Sequence, residues 1–264
     1  PHRPRRALMS QSPGEGEPLA EGTLVSHLLE LRDRLLRSVI AVVLCFVPLA
    51  FFQNELFTLV ARPLIDKLPA GTSLIATSVV SPFMAPLKLS LMGAIFLAMP
   101  YILFQIWGFV APGLYKRERR FAAPLLVSSI VLFYVGVAFA YYVVFPLMFQ
   151  FLASTTPTGV KMMTDIANYL DFVLLLFMAF GIAFEMPVAV VLLVVTGLVK
   201  LDVLTRNRGY VILGIFIIAA FLTPPDAVSQ SFMAVPMYLL YELGILFARM
   251  IQKSRGTPAI ATES

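Results

Sequence analysis

Long apolar stretches separated by short polar and charged segments make up most of the chain, at approximately 35–52, 87–110, 124–145, 172–199, 210–222 and 232–248. A helix needs about 17–25 predominantly apolar residues to cross the hydrocarbon core of a bilayer. The pattern therefore predicts six membrane helices. The fifth, closed by Pro224 and Pro225, and the sixth are short by that measure, which predicts local thinning or polar access beside them. Pro48, Pro100, Pro187 and Pro236 fall inside these runs. In a membrane bundle neighbouring groups can satisfy the carbonyls that a proline frees, and the common result is a kink. The fold expected is an all-α integral membrane protein whose helices form a kinked, curved bundle.

Composition agrees, with 59% hydrophobic and 13% charged residues, against roughly 45–50% and about 25% in soluble domains. A net charge of +5 might suggest nucleic acid, but the placement of the cations gives another reason for it. Sixteen of the twenty Lys and Arg fall on one side of the predicted spans, and only Arg62, Lys67, Lys88 and Lys161 on the other. By the positive-inside rule both termini are cytoplasmic.

The chain then divides into a cytoplasmic N-terminal tail, 1–25, a single membrane domain, 26–250, and a cytoplasmic C-terminal tail, 251–264. The first tail is rich in Pro, Gly and charge and is expected to be disordered. Arg5 and Arg6 are followed by no apolar core, so this is not an export signal. The first outer connection contains "ELFTLVARPLIDKL", which predicts a short interfacial helix broken at Pro63. Cys45 is the single cysteine, and no nucleotide-binding, zinc-protease or hydrolase motif is found. No cofactor and no enzymatic activity are expected.

Polar residues inside apolar runs are the candidates for function. Glu185, in "FGIAFEMPVAVV" (180–191), lies fourteen residues from Asp171 and fifteen from Lys200, the nearest formal charges. In a continuous helix each of these is about 21 Å away. A carboxylate at that depth is costly and usually faces protein or water. Gly181 and Ala189, four residues either way, would let another helix approach closely. The plainer reading is a neutral acid hydrogen-bonded within the bundle. Glu242 lies seven residues before Arg249 on one helical face, and Asp226 and Gln230 flank the last two helices at the outer side. At the cytoplasmic side "SHLLELRDRLLR" (26–37) spaces Glu30 with Arg34, and Asp33 with Arg37, for i,i+4 ion pairs. "YKRERR" (115–120) sets Glu118 among four cations. Glu30 and Glu118 together could receive an arginine pair from another chain, because carboxylate and guanidinium match bidentately.

Six segments carry a resemblance: "HLLELRDRLL" (27–36), "IATSVVSPF" (75–83), "PYILFQIWGFVAPGLYKRERR" (100–120), "LLVSSIVLFYVGVAFAYYVVFP" (125–146), "YLDFVLLLFMAFGIAFEMPVAV" (169–190) and "LTPPDAVSQ" (222–230). In this order they resemble the TatC family, the multi-spanning subunit of the twin-arginine protein translocase, over roughly 26–249. The resemblance implies a concave, glove-shaped bundle of six helices in the bacterial cytoplasmic (inner) membrane. It implies a receptor for twin-arginine signal peptides of folded cargo proteins, assembling with TatB and TatA, and with copies of itself, for export driven by the proton-motive force. By motif, Glu30, Arg32, Phe109 and Glu118 match the signal-recognition surface and Pro63 a position in the first outer segment. Glu185 matches the family's membrane-embedded acid. Asp226 and Gln230 match the region where TatB or TatA docks. The resemblance departs at Ser78, where the family commonly has Asp. The alternative from another class is a proton-coupled small-solute transporter with Glu185 as its proton carrier.

Overall fold

The computed structural model describes residues 18–65, 73–110, 122–155, 163–223 and 226–255. Ten α-helices run through them: α1 Pro18–Phe51, α2 Gln53–Ile65, α3 Ser81–Val110, α4 Ala122–Phe139, α5 Phe145–Ser154, α6 Ile166–Ala183, α7 Met186–Val195, α8 Leu201–Arg206, α9 Arg208–Leu222 and α10 Ala227–Arg255. Two three-residue strands, β1 Ser73–Ile75 and β2 Met163–Asp165, and a π-helical turn, Ala140–Val144, complete the described set. Among the described residues, five stretches are long and apolar enough to cross a membrane, Val25–Phe51, Ser81–Val110, Ala123–Phe151, Ile166–Val195 and Ala227–Lys253, and a shorter apolar helix covers Arg208–Leu222. The helix α1 begins inside the stretch set apart as a tail, and residues 1–17 and 256–264 lie outside the described residues.

Four boundaries differ from those expected. The last helix is not short, because α10 has 29 residues; Gln230, Ser231 and Glu242 lower its local hydropathy without interrupting helical spacing. The helix α2 passes through Pro63 to Ile65, so the proline does not break it. The third apolar run continues past Pro146 through a π-helical turn, Ala140–Val144, where the Phe145 N–H reaches the Ala140 carbonyl. One extra residue in the turn lets the helix resume across a proline that lacks an N–H. The fourth run is cut in two at Phe184 and Glu185. The Glu185 N–H bonds back only three residues, to Ile182 (3.0 Å), and α7 starts with Pro187 in its first turn.

The prolines are accommodated as the physics of an apolar medium demands. Pro100 leaves the Phe96 carbonyl without its helical donor, and the Tyr134 hydroxyl of α4 donates to it at 2.8 Å. One bond thus satisfies the freed carbonyl of α3 and ties the helix to α4. Close helix approaches are made at glycines. A Cβ on Gly136 would lie 2.5 Å from the Phe180 carbonyl oxygen, and one on Gly244 would lie 2.9 Å from the Pro187 Cα, so α4 meets α6, and α10 meets α7, nearly backbone to backbone. The main core lies between these helices, with Phe133, Phe145, Met148, Phe180 and Met233 fully buried.

At one end the two strands pair in parallel, with Ser73 opposite Met163 and Ile75 opposite Asp165. The Asp165 carboxylate closes the junction. Its Oδ1 accepts from the Ala167 and Asn168 N–H groups as the N-cap of α6, and its Oδ2 accepts from the Thr77 N–H and hydroxyl at 2.9 and 2.6 Å. The Thr77 hydroxyl, then the Thr77 and Asn168 N–H groups, hold its pKa down to about 2. A depressed carboxylate stabilises fully above its unfolded value near 4 and loses that contribution as pH falls through its folded value. Protection of the 73–77 amides, relative to their intrinsic exchange rate at each pH, is therefore expected to fall between about pH 4 and pH 2, and Asp165→Asn to remove that pH dependence. An unchanged acid profile in the variant would contradict the clamp. Ser78 orders the turn that leads into α3, its Oγ accepting from the Val80 N–H (3.3 Å) and its carbonyl from the Ser81 hydroxyl.

Candidate functional site

The first candidate site lies where the N-terminal half of α1 packs on the end of α3. Helical spacing puts Glu30 one turn before Arg34, and the expected pair forms: Arg34 Nε and Nη2 both donate to Glu30 Oε1, at 2.9 and 2.7 Å. Arg34 Nη1 also donates to Gln105 Oε1 of α3 at 3.3 Å, and Gln105 is 4% exposed. One turn beyond Gln105, Phe109 stacks on His27, with ring centroids 4.3 Å apart and planes 21° from parallel. Arg32 does not join this cluster but pairs with its neighbour Asp33 at 2.9 Å on the exposed side. The expected Asp33–Arg37 pair is thereby replaced, because the adjacent guanidinium curls back along the helix. Exposed pairs of this kind contribute about 0–1 kcal/mol. Glu118 lies outside the described residues, as do the side chain of Pro63 and the whole of "YKRERR" (115–120).

The second candidate lies at the break between α6 and α7. At the turn Glu185 borders a groove of about 520 Å³ whose lining includes Met178, Ile182, Met186, Ala189 and Met237. Among the described residues, Glu185 is the only charged one on that lining. Its Oε1 is buried without a hydrogen-bond partner among the described residues. Ser129 of α4 stands beside the carboxyl group. Ser129 is 1% exposed and in turn accepts from the Trp107 indole N–H at 3.2 Å. A polar chain thus runs from α3 through α4 to the interior acid. Gly181 does not share the groove with Glu185 and Ala189. It faces α4, where a Cβ would lie 2.6 Å from the Phe133 ring, because the break turns the two halves of the span apart.

The remaining candidates have capping and bridging roles. Asp226 Oδ1 accepts from the Val228 and Ser229 N–H groups at 3.1 and 2.7 Å, the N-cap geometry for α10. The Ser229 N–H, the largest contributor, lowers its pKa. The Gln230 N–H bonds the Asp226 carbonyl, which fixes the first turn of α10, about 10 Å along the helix from Met237 of the groove. Glu242 is held not by Arg249 but by Arg208 of α9, with Nε–Oε1 2.7 Å, and by the Tyr238 hydroxyl at 2.8 Å. Neither Gln105 nor Ser129 is singled out by sequence pattern, though each is a polar residue in an apolar run, the same signal that marks Glu185.

No group of three or more His, Cys, Asp or Glu among the described residues could hold a metal ion. What stands out is an acceptor cluster beside an aromatic pair at one end of the bundle, and a single acid bordering an apolar groove inside it. That describes a multi-pass helical membrane protein. The sequence profile described as "Sec-independent protein translocase protein (TatC)" matches residues 26–236, and the chain belongs to the TatC family, whose members are protein translocase components and not enzymes. Among relatives, the Sec-independent protein translocase protein TatC of Azotobacter chroococcum mcd 1 is 57% identical over 236 residues, which are 89% of this chain and 92% of that one. TatC of Escherichia coli (strain K12) is 54% identical over 226 residues, 86% of this chain and 88% of that one. A crystal structure of a twin-arginine translocase receptor, TatC, superposes with a TM-score of 0.77 at 37% identity, covering 86% of this chain and 99% of the other.

Proposed function

We propose that this chain is the receptor subunit of a twin-arginine translocase. It binds the arginine pair of signal peptides on folded precursors and assembles with TatB, TatA and further copies of itself for export driven by the proton-motive force. In this reading residues 26–250 are one membrane domain of six spans in the bacterial inner membrane, with the short helix Arg208–Leu222 as the fifth and both termini cytoplasmic. The observation that carries it is the cluster at the end of α1 and α3, where a half-exposed carboxylate, Glu30, stands with the Phe109–His27 stack. A guanidinium is recognised there by directional bonds to carboxylate oxygens, and the aromatic pair offers a face for apolar signal residues. Glu118 would supply a second acceptor, with Arg32 on the same surface. The groove beside Glu185 suits an apolar helix that brings one hydrogen-bond donor at membrane depth, which is what a TatA-family helix or an inserted signal would offer. Asp226 and Gln230 mark the end of α10 near which such a helix would dock.

The test is photo-crosslinking of a twin-arginine precursor to the protein in membranes, wild type against Glu30→Ala and Glu118→Ala at matched levels, with a twin-lysine signal as control. A charge-assisted hydrogen bond is worth about 1.5–3 kcal/mol, so each variant is expected to lose roughly ten-fold or more of the arginine-dependent crosslinking. Crosslinking that ignores the arginine pair and both substitutions would refute the assignment.

A further inference from the structure

The acceptor Glu30 is not presented alone, because Arg34 occupies it from within the same helix. Two of the guanidinium donors converge on one oxygen, Glu30 Oε1, and a third goes to Gln105. The Arg34 side chain is 23% exposed, less than the 39% of Glu30. What lets it sit so deep is Gly108, for a Cβ at that position would collide with Arg34 Nη1. The seat is therefore made by α3: an amide oxygen from Gln105 on one side, and the missing side chain of Gly108 below. An i,i+4 pair on an open helix surface would have neither feature, and would be mobile and weak.

The geometry points to Arg34 as a positioning residue that makes Glu30 selective for a guanidinium over an ammonium. This rests on the reading of Glu30 as the acceptor for the signal's arginine. Arg34 does two things to that carboxylate. It fixes the rotamer by holding Oε1, so that an incoming group must meet Oε2 in a set direction. It also cancels much of the local negative charge. A lysine ammonium is a compact point charge whose attraction to a site depends chiefly on net charge, whereas arginine gains from a planar fork aligned on a lone pair. Neutralising the charge while keeping an oriented lone pair therefore weakens lysine more than arginine. Gln105 and Gly108 act at one remove, by keeping the Arg34 guanidinium in place.

The test uses the full-length protein in membranes at matched levels and measures crosslinking of a twin-arginine and a twin-lysine precursor to each variant. Arg34→Gln removes the charge and the fork. Gly108→Ala keeps every charge and displaces only the guanidinium tip, so it reports on the seat should the first variant fail to fold. Glu30→Gln tests the underlying reading. The preference for the arginine signal is expected to fall roughly ten-fold in Arg34→Gln and Gly108→Ala, with the lysine signal gaining in the first. A preference equal to wild type in both, or equal weakening of the two signals, would overturn the role of Arg34 while leaving that of Glu30 intact. If the wild-type preference survives Glu30→Gln, the reading of Glu30 fails and this inference falls with it.

Discussion

Replacing Glu185 by alanine is expected to slow export about 10- to 100-fold, the loss of one hydrogen bond to a charged or strongly polar group, while leaving precursor crosslinking at the Glu30 surface unchanged. The two sites lie on different parts of the bundle: Glu30 meets α3 near its end, whereas Glu185 stands at the α6–α7 break beside a groove formed with α9 and α10. Misfolding is not the expected cause of the defect. An interior carboxyl group with one oxygen unpartnered costs energy in an apolar medium, so removing it should leave the protein as stable as before or more so. Glu185→Gln separates the two readings of this acid. Glutamine keeps a donor and an acceptor at the same place but cannot titrate, so a docking contact survives in large part and a proton carrier does not. Export by the glutamine variant well above that of the alanine variant supports docking. Equal failure of the two would move the assignment to the proton-coupled alternative.

The legible part of this protein is the part governed by hydropathy. Apolar run length located the six apolar segments, and a lone acid in the fourth of them pointed to the groove that the structure forms beside it. The illegible part depends on contacts between segments distant in sequence. That Ser129 stands beside Glu185 follows from α4 packing against α6 at Gly136 and Gly181, and no local pattern contains it. Asp165 and Thr77 are 88 residues apart, and only parallel pairing of two three-residue strands brings them together. The partner of Glu242 is out of reach of local pattern for a related reason: Arg208 arrives from α9, 34 residues away in sequence. Short-range chemistry was read well where it was helical and local, as in the Glu30–Arg34 pair, and poorly where a long side chain had a nearer choice, as with Asp33 and Arg32. Hydropathy also understated α10, since a helix rich in polar residues can remain a single helix well past its apolar core.

Gly136→Ala, adding one methyl group, is expected to destabilise the protein by about 1–3 kcal/mol, the usual cost of overpacking a filled interior, and to lower its midpoint of thermal unfolding in detergent by roughly 2–10 °C. The new Cβ would lie 2.5 Å from the Phe180 carbonyl oxygen and 2.9 Å from Cβ and Cγ of Phe184. Backbone at a helix contact yields little, so α4 and α6 must separate. Gly214→Ala is the control, because a Cβ there meets nothing within 4 Å. That change should be neutral or stabilise by about 0.5–1 kcal/mol through helix propensity alone. Equal midpoints for the two variants would show that the α4–α6 approach is not close enough to matter. The same substitution should reach the site, since Phe184 immediately precedes Glu185 and Ser129 lies two turns before Gly136 on α4. Separating the helices draws the Glu185 carboxyl group away from Ser129, so export should fall in Gly136→Ala even at temperatures where the variant remains folded. It should stay at the wild-type level in Gly214→Ala, because nothing that positions the acid has moved.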